Sequence, residues 1–456
     1  MELGFETIGN ATLVCYDRTP VLATDPWIAG HAYFGSWGIS HEIPAEVMAG
    51  IKKSKYIWIS HGHPDHLSSK SLDMLGGRKV LLPDHVGGRI RAGLIERGFD
   101  VTVLEDRKWY PLSDRIKVLC IADYNQDAIL LVDIDGNLIV NLNDADDHGW
   151  GRFVKKIIRG YRNSFHLQLT GFGDTDLINF WREDGTFIEP RAAQRRPVGK
   201  TVSRLLREWG TRNFIPFSAM HIYERTDTAW ARKYRTSLAD YETGFDPHSG
   251  NLLPAFIRYD LNTGRYEAMN PAERPEHLLD PKEFGDDWSE QLEAADREKI
   301  ARYFKSIEHL GEFLDFVTLR VGGQDHIVEL AAKRFDRGLT FEAPRSSLMT
   351  SIEYEIFDDM LIGNFMKAIL HGKFPSRALY PHFTPYVGKY ADNGLAKSND
   401  EVREYFRQYQ MRAPLDFLKH RVEKQAIEAL RFSLTQDSTL YAIGARTYHW
   451  VKALGV

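Results

Sequence analysis

A layered α/β domain followed by an α+β, helix-rich extension is the fold class this sequence predicts. Three observations carry the prediction. Short apolar runs alternate with stretches of helical spacing, as strand–helix units require. Other runs are joined by turn signals (Gly9-Asn10, Asp17-Arg18, Asp135-Gly136), so hairpins are mixed with those units. The length, 456 residues, exceeds one ordinary core and favours two domains, or one large domain with an extension.

In chain order, strands are expected over Phe5–Ile8, Ala11–Tyr16 and Val21–Thr24, ending in Asp25-Pro26-Trp27. The Gly-rich aromatic run from Gly30 to Trp37 reads as loop packing or as a pocket wall. Pro44–Lys53 suits a helix, because Pro44 fits a first turn and Val47, Met48 and Ile51 share a face. A strand then leads into the cluster at residue 61. After it come a helix near Ser69–Leu75, a strand Lys79–Leu82, a helix Val86–Gly98, and strands Asp100–Leu104 and Ile116–Ile121. A hairpin, Ala128–Asp133 with Asn137–Leu142, and a strand Asn213–Phe217 complete the layers. Ala255–Tyr259 and Arg265–Met269 form another hairpin, and the Pro-rich acidic stretch Asn270–Asp287 suggests a boundary, giving domains 1–280 and 281–456.

Composition narrows the function classes. Hydrophobic residues make up 43% and charged residues 27% of the chain, as in a soluble globular protein. A net charge of -5 gives no basic bias, so no nucleic-acid or membrane partner is expected. Cys15 and Cys120, the only cysteines, lie in apolar runs outside any CxxC pattern. They read as reduced core thiols, which suits a cytoplasmic location and leaves no ligand set here for a thiolate-held iron–sulfur cluster. The first residues lack a basic and apolar leader, and no apolar run reaches membrane-spanning length, which points the same way.

The chemistry concentrates in Ile57-Trp58-Ile59-Ser60-His61-Gly62-His63-Pro64-Asp65-His66. An apolar strand breaks at Gly62, and three imidazoles and a carboxylate then crowd into one compact turn. Gly and Pro let neighbouring side chains converge on one point instead of alternating across a sheet. Asp65 could serve only as a helix cap, yet four donors in six positions after a buried strand read as a metal cradle. Two further strands end in donors: Asn137–Leu142 runs into Asp144, and Asn213–Phe217 into His221.

These residues resemble the metallo-β-lactamase fold superfamily, a four-layer αββα architecture. His61-Gly62-His63-Pro64-Asp65-His66 matches its HxHxDH motif, Asp144 falls at its bridging Asp, and His221 at its last His ligand. The opening hairpin, Asp25-Pro26-Trp27 and the run from Gly30 to Trp37 look like the branch that includes CMP-N-acetylneuraminate hydroxylase and lactonase-like proteins. Hydrolases of the superfamily place another His before the bridging Asp, but this sequence has none between His85 and His148. The corresponding loop offers Asp123, with Asp127 as the second choice. Carboxylates in place of imidazole favour harder ions and higher iron oxidation states. The resemblance extends to the non-haem diiron monooxygenases of this fold, known from chloramphenicol and platensimycin biosynthesis.

That resemblance implies His61, His63 and Asp123 at one metal, Asp65, His66 and His221 at the other, and Asp144 bridging. It implies two iron ions, O2 as co-substrate, and hydroxylation of a C–H bond in a small molecule. Electrons would come from an external donor, a ferredoxin or reductase. The alternative is a dizinc hydrolase acting on a lactone, ester or phosphodiester.

In the second half a helix is expected over Trp288–Phe304 and strands over Phe316–Val321, His326–Ala331 and Thr340–Glu342. Ile352–Leu370 reads as a strand leading into a helix, with Met360 and Met366 as core packing or as a channel wall. The aromatic segment Tyr380–Tyr386 reads as a loop that packs or overhangs the pocket. Amphipathic helices near Asp400–Gln410 and Leu415–Phe432 would cap the fold or form a homodimer face. Arg191, Arg195 and Arg196 read as solvated, or as a handle for an anionic substrate.

Overall fold

The computed structural model describes residues 1–456 except 172–176, 332, 375–377, 394 and 434–456, and leaves undescribed the side chains of 391–393 and 426–433. The first turn signals produce an antiparallel meander of β1 (Leu3–Ile8), β2 (Thr12–Asp17) and β3 (Thr19–Thr24). After the short β4 (Trp37–Ile39), the chain makes crossover units: α1 (Ala45–Lys53), β5 (Tyr56–Trp58), α2 (Ser69–Met74), β6 (Lys79–Pro83), α3 (Arg89–Glu96) and β7 (Asp100–Leu104). Strands β3, β5, β6 and β7 run parallel.

A second sheet opens with β8 (Trp109–Pro111), β9 (Ile116–Ala122), β10 (Ala128–Ile134) and β11 (Asn137–Asn143), all antiparallel. Then follow α4 (Gly151–Ile158), β12 (Asn163–Gln168), β13 (Phe180–Arg182), α5 (Val198–Trp209), β14 (Asn213–Pro216), β15 (His221–Tyr223) and β16 (Asn251–Leu252). Of these, β12, β14 and β16 extend the second sheet in parallel. β15 instead pairs with β4 in a two-stranded ribbon. The chain returns to the first sheet through β17 (Ile257–Asp260) and β18 (Arg265–Ala268), giving the order β18-β17-β1-β2-β3-β5-β6-β7.

Period-two alternation explains the layering. On β2, Leu13 and Cys15 face the second sheet, while Val14 and Tyr16 meet Val47 and Ile51 of α1. On β10, Leu130, Val132 and Ile134 fill the space between the sheets, while Ile129 and Leu131 pack towards Val154 of α4 and Val202 of α5. Both sheets are therefore buried on both faces and helices cover the outsides, which is the αββα arrangement expected from the sequence.

The extension comprises α6 (Ala294–Ser306), β19 (Phe316–Val321), β20 (Gln324–Glu329), β21 (Arg337–Glu342), α7 (Arg345–Glu353), α8 (Phe357–Ile362), β22 (Lys367–Gly372), α9 (Asn399–Arg412) and α10 (Pro414–Ser433). Its sheet runs β13-β22-β21-β19-β20, so a strand from residues 180–182 crosses the sequence boundary at 280. Around it lies a separate core that includes Phe304, Leu319, Phe341, Phe357 and Met360.

Several expectations are corrected. Residues 352–370 form helix and then strand, the reverse of the predicted order, because Phe357, Met360 and Leu361 bury one helical face and Gly363 breaks the run before β22. The helix expected from Trp288 begins at Ala294, where Glu293 and Asp296 make a reciprocal capping box. The helix expected from Val86 begins at Arg89, after Gly88 in the left-handed region (φ 67°). The elements α4, β12, β13 and α5 were not anticipated, although α5 carries an apolar face at helical spacing from Val198 to Trp209. The segment Tyr380–Tyr386 packs: Phe383 is buried in the extension core, and Tyr386 stacks on His309 at 3.8 Å. Among the described residues, no helix is long and apolar enough to cross a membrane.

Candidate metal centre

The parallel strands of both sheets deliver their carboxyl ends to one edge, the usual place for a site in an open α/β sheet. From β3 comes Asp25, from β5 the loop Ser60–His66, from β11 Asn143 and Asp144, and from beyond β14 Ser218 and His221. Asp25, Asn143 and Ser218 all have positive φ (39°, 57° and 57°), so the rim holds strained backbone where polar side chains must turn inward.

Five predicted donors are brought together: His61, His63, Asp65, His66 and Asp144. His61 Nε2 lies 2.8 Å from His63 Nδ1. Asp144 Oδ2 lies between two imidazoles, 3.8 Å from His61 Nε2 and 3.3 Å from His66 Nε2. His66 Nε2 is also 3.3 Å from Asp65 Oδ2, yet it makes no hydrogen bond. Outer partners hold the rings and carboxylates in place. Ser60 Oγ is 2.9 Å from His61 Nδ1, and Asp25 Oδ2 is 3.3 Å from His66 Nδ1. Tyr33 Oη donates to Asp65 Oδ1 (2.6 Å), Asn10 Nδ2 to Asp65 Oδ2 (2.8 Å), and Ser218 Oγ to Asp144 Oδ1 (2.5 Å).

His221 is buried and both its ring nitrogens lack hydrogen-bond partners, while its ring lies flat on Trp37 at 3.5 Å between centroids. The aromatic loop from Gly30 to Trp37 is thus part of the site, through Tyr33 and Trp37. Arg225, close by in sequence, chelates Asp227 and also donates to Asp286 and to the Phe34 carbonyl.

Asp123 does not join the convergent groups. Its Oδ1 accepts from the Asn125 and Asp127 amides, and its Oδ2, without a hydrogen bond, lies 3.8 Å from His148 Nε2. Asp127 accepts from Asn125 Nδ2 (2.8 Å) and lies 3.5 Å from the buried ammonium of Lys389. Among the described residues, the metal-ligand side chains whose donor atoms lie within 4.8 Å of one another are His61, His63 and Asp144, and separately His63, Asp358 and Asp359.

The extension thus supplies three groups that the sequence reading missed: Asp358, Asp359 and Lys389. Two adjacent carboxylates inside the apolar run Phe357–Met366 were the available signal; Lys389 left none. Met360 and Met366 are buried as packing residues. Arg195 and Arg196 are exposed, and Arg195 donates to the Lys233 and Arg235 carbonyls.

Electrostatics follow from burial. Desolvation pushes His221 down to about 3, and desolvation together with His66 and His63 drives His61 well below the ordinary imidazole value. Burial opposes charge on His66, but Asp65 and Asp144 outweigh it and raise its pKa. Burial and the neighbouring Asp358 raise Asp359.

A metal ion fits these residues. His66 Nε2, which faces Asp65 and Asp144, and both ring nitrogens of His221 are buried without hydrogen-bond partners, and the backs of His61 and His66 are already engaged. Buried donors left in that state are costly unless a cation accepts them.

Two facing sheets with helices outside, and an HxHxDH loop at the strand ends, are the metallo-β-lactamase fold. Within that fold the chain resembles the CMP-N-acetylneuraminate hydroxylase-like branch. It is 25% identical over 227 residues to the inactive cytidine monophosphate-N-acetylneuraminic acid hydroxylase of Homo sapiens, covering 46% of this chain and 44% of that protein. The identity to the Mus musculus hydroxylase is also 25% over 227 residues, covering 46% and 38%. The match thus spans less than half the length of either relative. Among solved structures, CmlA, a diiron beta-hydroxylase from Streptomyces venezuelae, overlaps 47% of this chain and 44% of its own at 15% identity and a TM-score of 0.32, a likeness too distant to bear on chemistry. No protein-family model matches the chain.

Proposed function

We propose that this protein is a metal-dependent hydroxylase, a non-haem diiron monooxygenase that oxidises a C–H bond of a small molecule with O2 and electrons from an external donor. The observation that carries the reading is the position of Asp144 Oδ2 between His61 Nε2 and His66 Nε2, in surroundings rich in carboxylates. The similarity to the mouse hydroxylase supports the same class.

His61, His63 and Asp144 would hold one ion, and Asp65, His66, His221 and Asp144 the other. Asp123, held by amides of its own turn, and Asp127, held by Asn125 and Lys389, stand outside this set. Bound iron would supply dioxygen reduction and C–H oxidation. The chain itself orients and shields: Ser60 holds the His61 ring, Asp25 faces His66 Nδ1, Tyr33 and Asn10 hold the Asp65 carboxylate, and Trp37 covers His221.

Iron and zinc content, with Mössbauer spectroscopy on protein purified without added metal, tests the reading. Two iron ions per chain and O2 uptake after chemical reduction are expected. Two zinc ions, no iron and no O2 uptake would refute it in favour of a dizinc hydrolase.

A further inference from the structure

Two imidazoles of the loop are backed by carboxylates in opposite senses. His66 presents Nδ1 to Asp25 Oδ2 (3.3 Å) and turns Nε2 towards Asp65 and Asp144. His63 is reversed: its Nδ1 faces His61 Nε2 at 2.8 Å, and its Nε2 lies 3.2 Å from Asp358 Oδ2. If Nδ1 gives its lone pair to an ion shared with His61, the ring proton must sit on Nε2, where Asp358 accepts it.

The location of that carboxylate is the unexpected part. Asp358 lies 295 positions from His63, on α8, whose Phe357, Met360 and Leu361 are locked in the extension core. Its side chain is buried, 4% exposed. Space for it is left by Gly388, where a Cβ would come within 2.4 Å of Asp358 Oδ2 and 2.9 Å of its Cβ. The geometry points to Asp358 as a positioning residue that fixes the tautomer and ring orientation of His63, so that the extension completes the metal centre. This rests on the metal-centre reading above.

The test compares Asp358→Ala, Asp358→Asn and Gly388→Ala with the wild-type chain. Readouts are metal affinity by chelator competition, the absorption spectrum of the cobalt-substituted protein, and circular dichroism for folding. Asp358→Ala is expected to weaken metal binding about 10–100-fold and to shift the cobalt spectrum, as loss of an outer carboxylate does. Asp358→Asn should weaken it less, because the amide oxygen still accepts from Nε2. Gly388→Ala should resemble Asp358→Ala, because it displaces the carboxylate without removing it.

A folded Asp358→Ala protein with wild-type affinity and spectrum would overturn the inference. Should that variant fail to fold, wild-type affinity in both Asp358→Asn and Gly388→Ala would overturn it equally. A wild-type chain that binds no metal would overturn the metal centre itself, and this inference with it.

Discussion

Asp25 is the residue whose loss should be felt most sharply. It is fully buried, and its carboxylate accepts from the Ser60 amide (2.7 Å) and Asn143 Nδ2 (2.5 Å) while facing His66 Nδ1. Alanine there orphans the Ser60 N–H at about 1–3 kcal/mol. Asn143 Nδ2 keeps Ser60 Oγ at 3.0 Å, so its loss is partial. The left-handed φ of 39° adds about 1 kcal/mol, since alanine tolerates that region less well than aspartate. The sum for Asp25→Ala is about 2–4 kcal/mol in metal-free protein.

Asp25→Asn should cost only about 1 kcal/mol. Its oxygen still meets the Ser60 amide, and Asn143 can turn its unpartnered Oδ1 towards the new amide. Both variants should bind metal about 10–100-fold more weakly, because neither leaves a carboxylate behind His66. Urea denaturation of chelator-treated protein and a chelator-competition titration measure the two effects. An Asp25→Ala protein within about 1 kcal/mol of wild type would refute the reasoning.

Further outcomes are expected elsewhere. Arg225→Met should cost about 3–5 kcal/mol in urea denaturation, because it leaves the buried Asp286 carboxylate without its cation, with only Ser347 among the described residues still donating to it. Trp37→Ala should cost about 3–5 kcal/mol and reduce bound metal by removing the platform under His221; elemental analysis and thermal melts measure this. Leu130→Ala, between the two sheets, should cost about 2–5 kcal/mol without changing metal stoichiometry. His166, buried on β12, is pushed down by desolvation to about 4. Below pH 6.5 the unfolded chain binds a proton there that the folded chain refuses, so stability falls as pH drops towards 4, by about 2–3 kcal/mol from this residue. His166→Gln should flatten that part of the curve of stability against pH.

Runs such as Leu13-Val14-Cys15 and Ile129-Leu130-Leu131 were legible as strands because strands buried on both faces are continuously apolar, whereas their division between two facing cores, and the place of β12 in the second sheet, came only with the structure. Likewise the HxHxDH loop was legible, since its donors lie within six residues and a Gly-Pro turn gathers them. Asp144 and His221 could be named only because each follows a strand end. Residues 352–370 misled because an apolar run of that length has no unambiguous period.

Tertiary packing alone decided the remainder. The stacking of Trp37 on His221 depends on β4 pairing with β15, and the separation of Asp123 from the cluster depends on a turn that folds its carboxylate back onto amides at 125 and 127. Asp358 reaches His63 only because the extension core fixes α8 against the rim, a contact between residues 295 positions apart. A sequence specifies donors that are neighbours along the chain. Donors that the chain must travel to bring together are specified by packing, which no local pattern records.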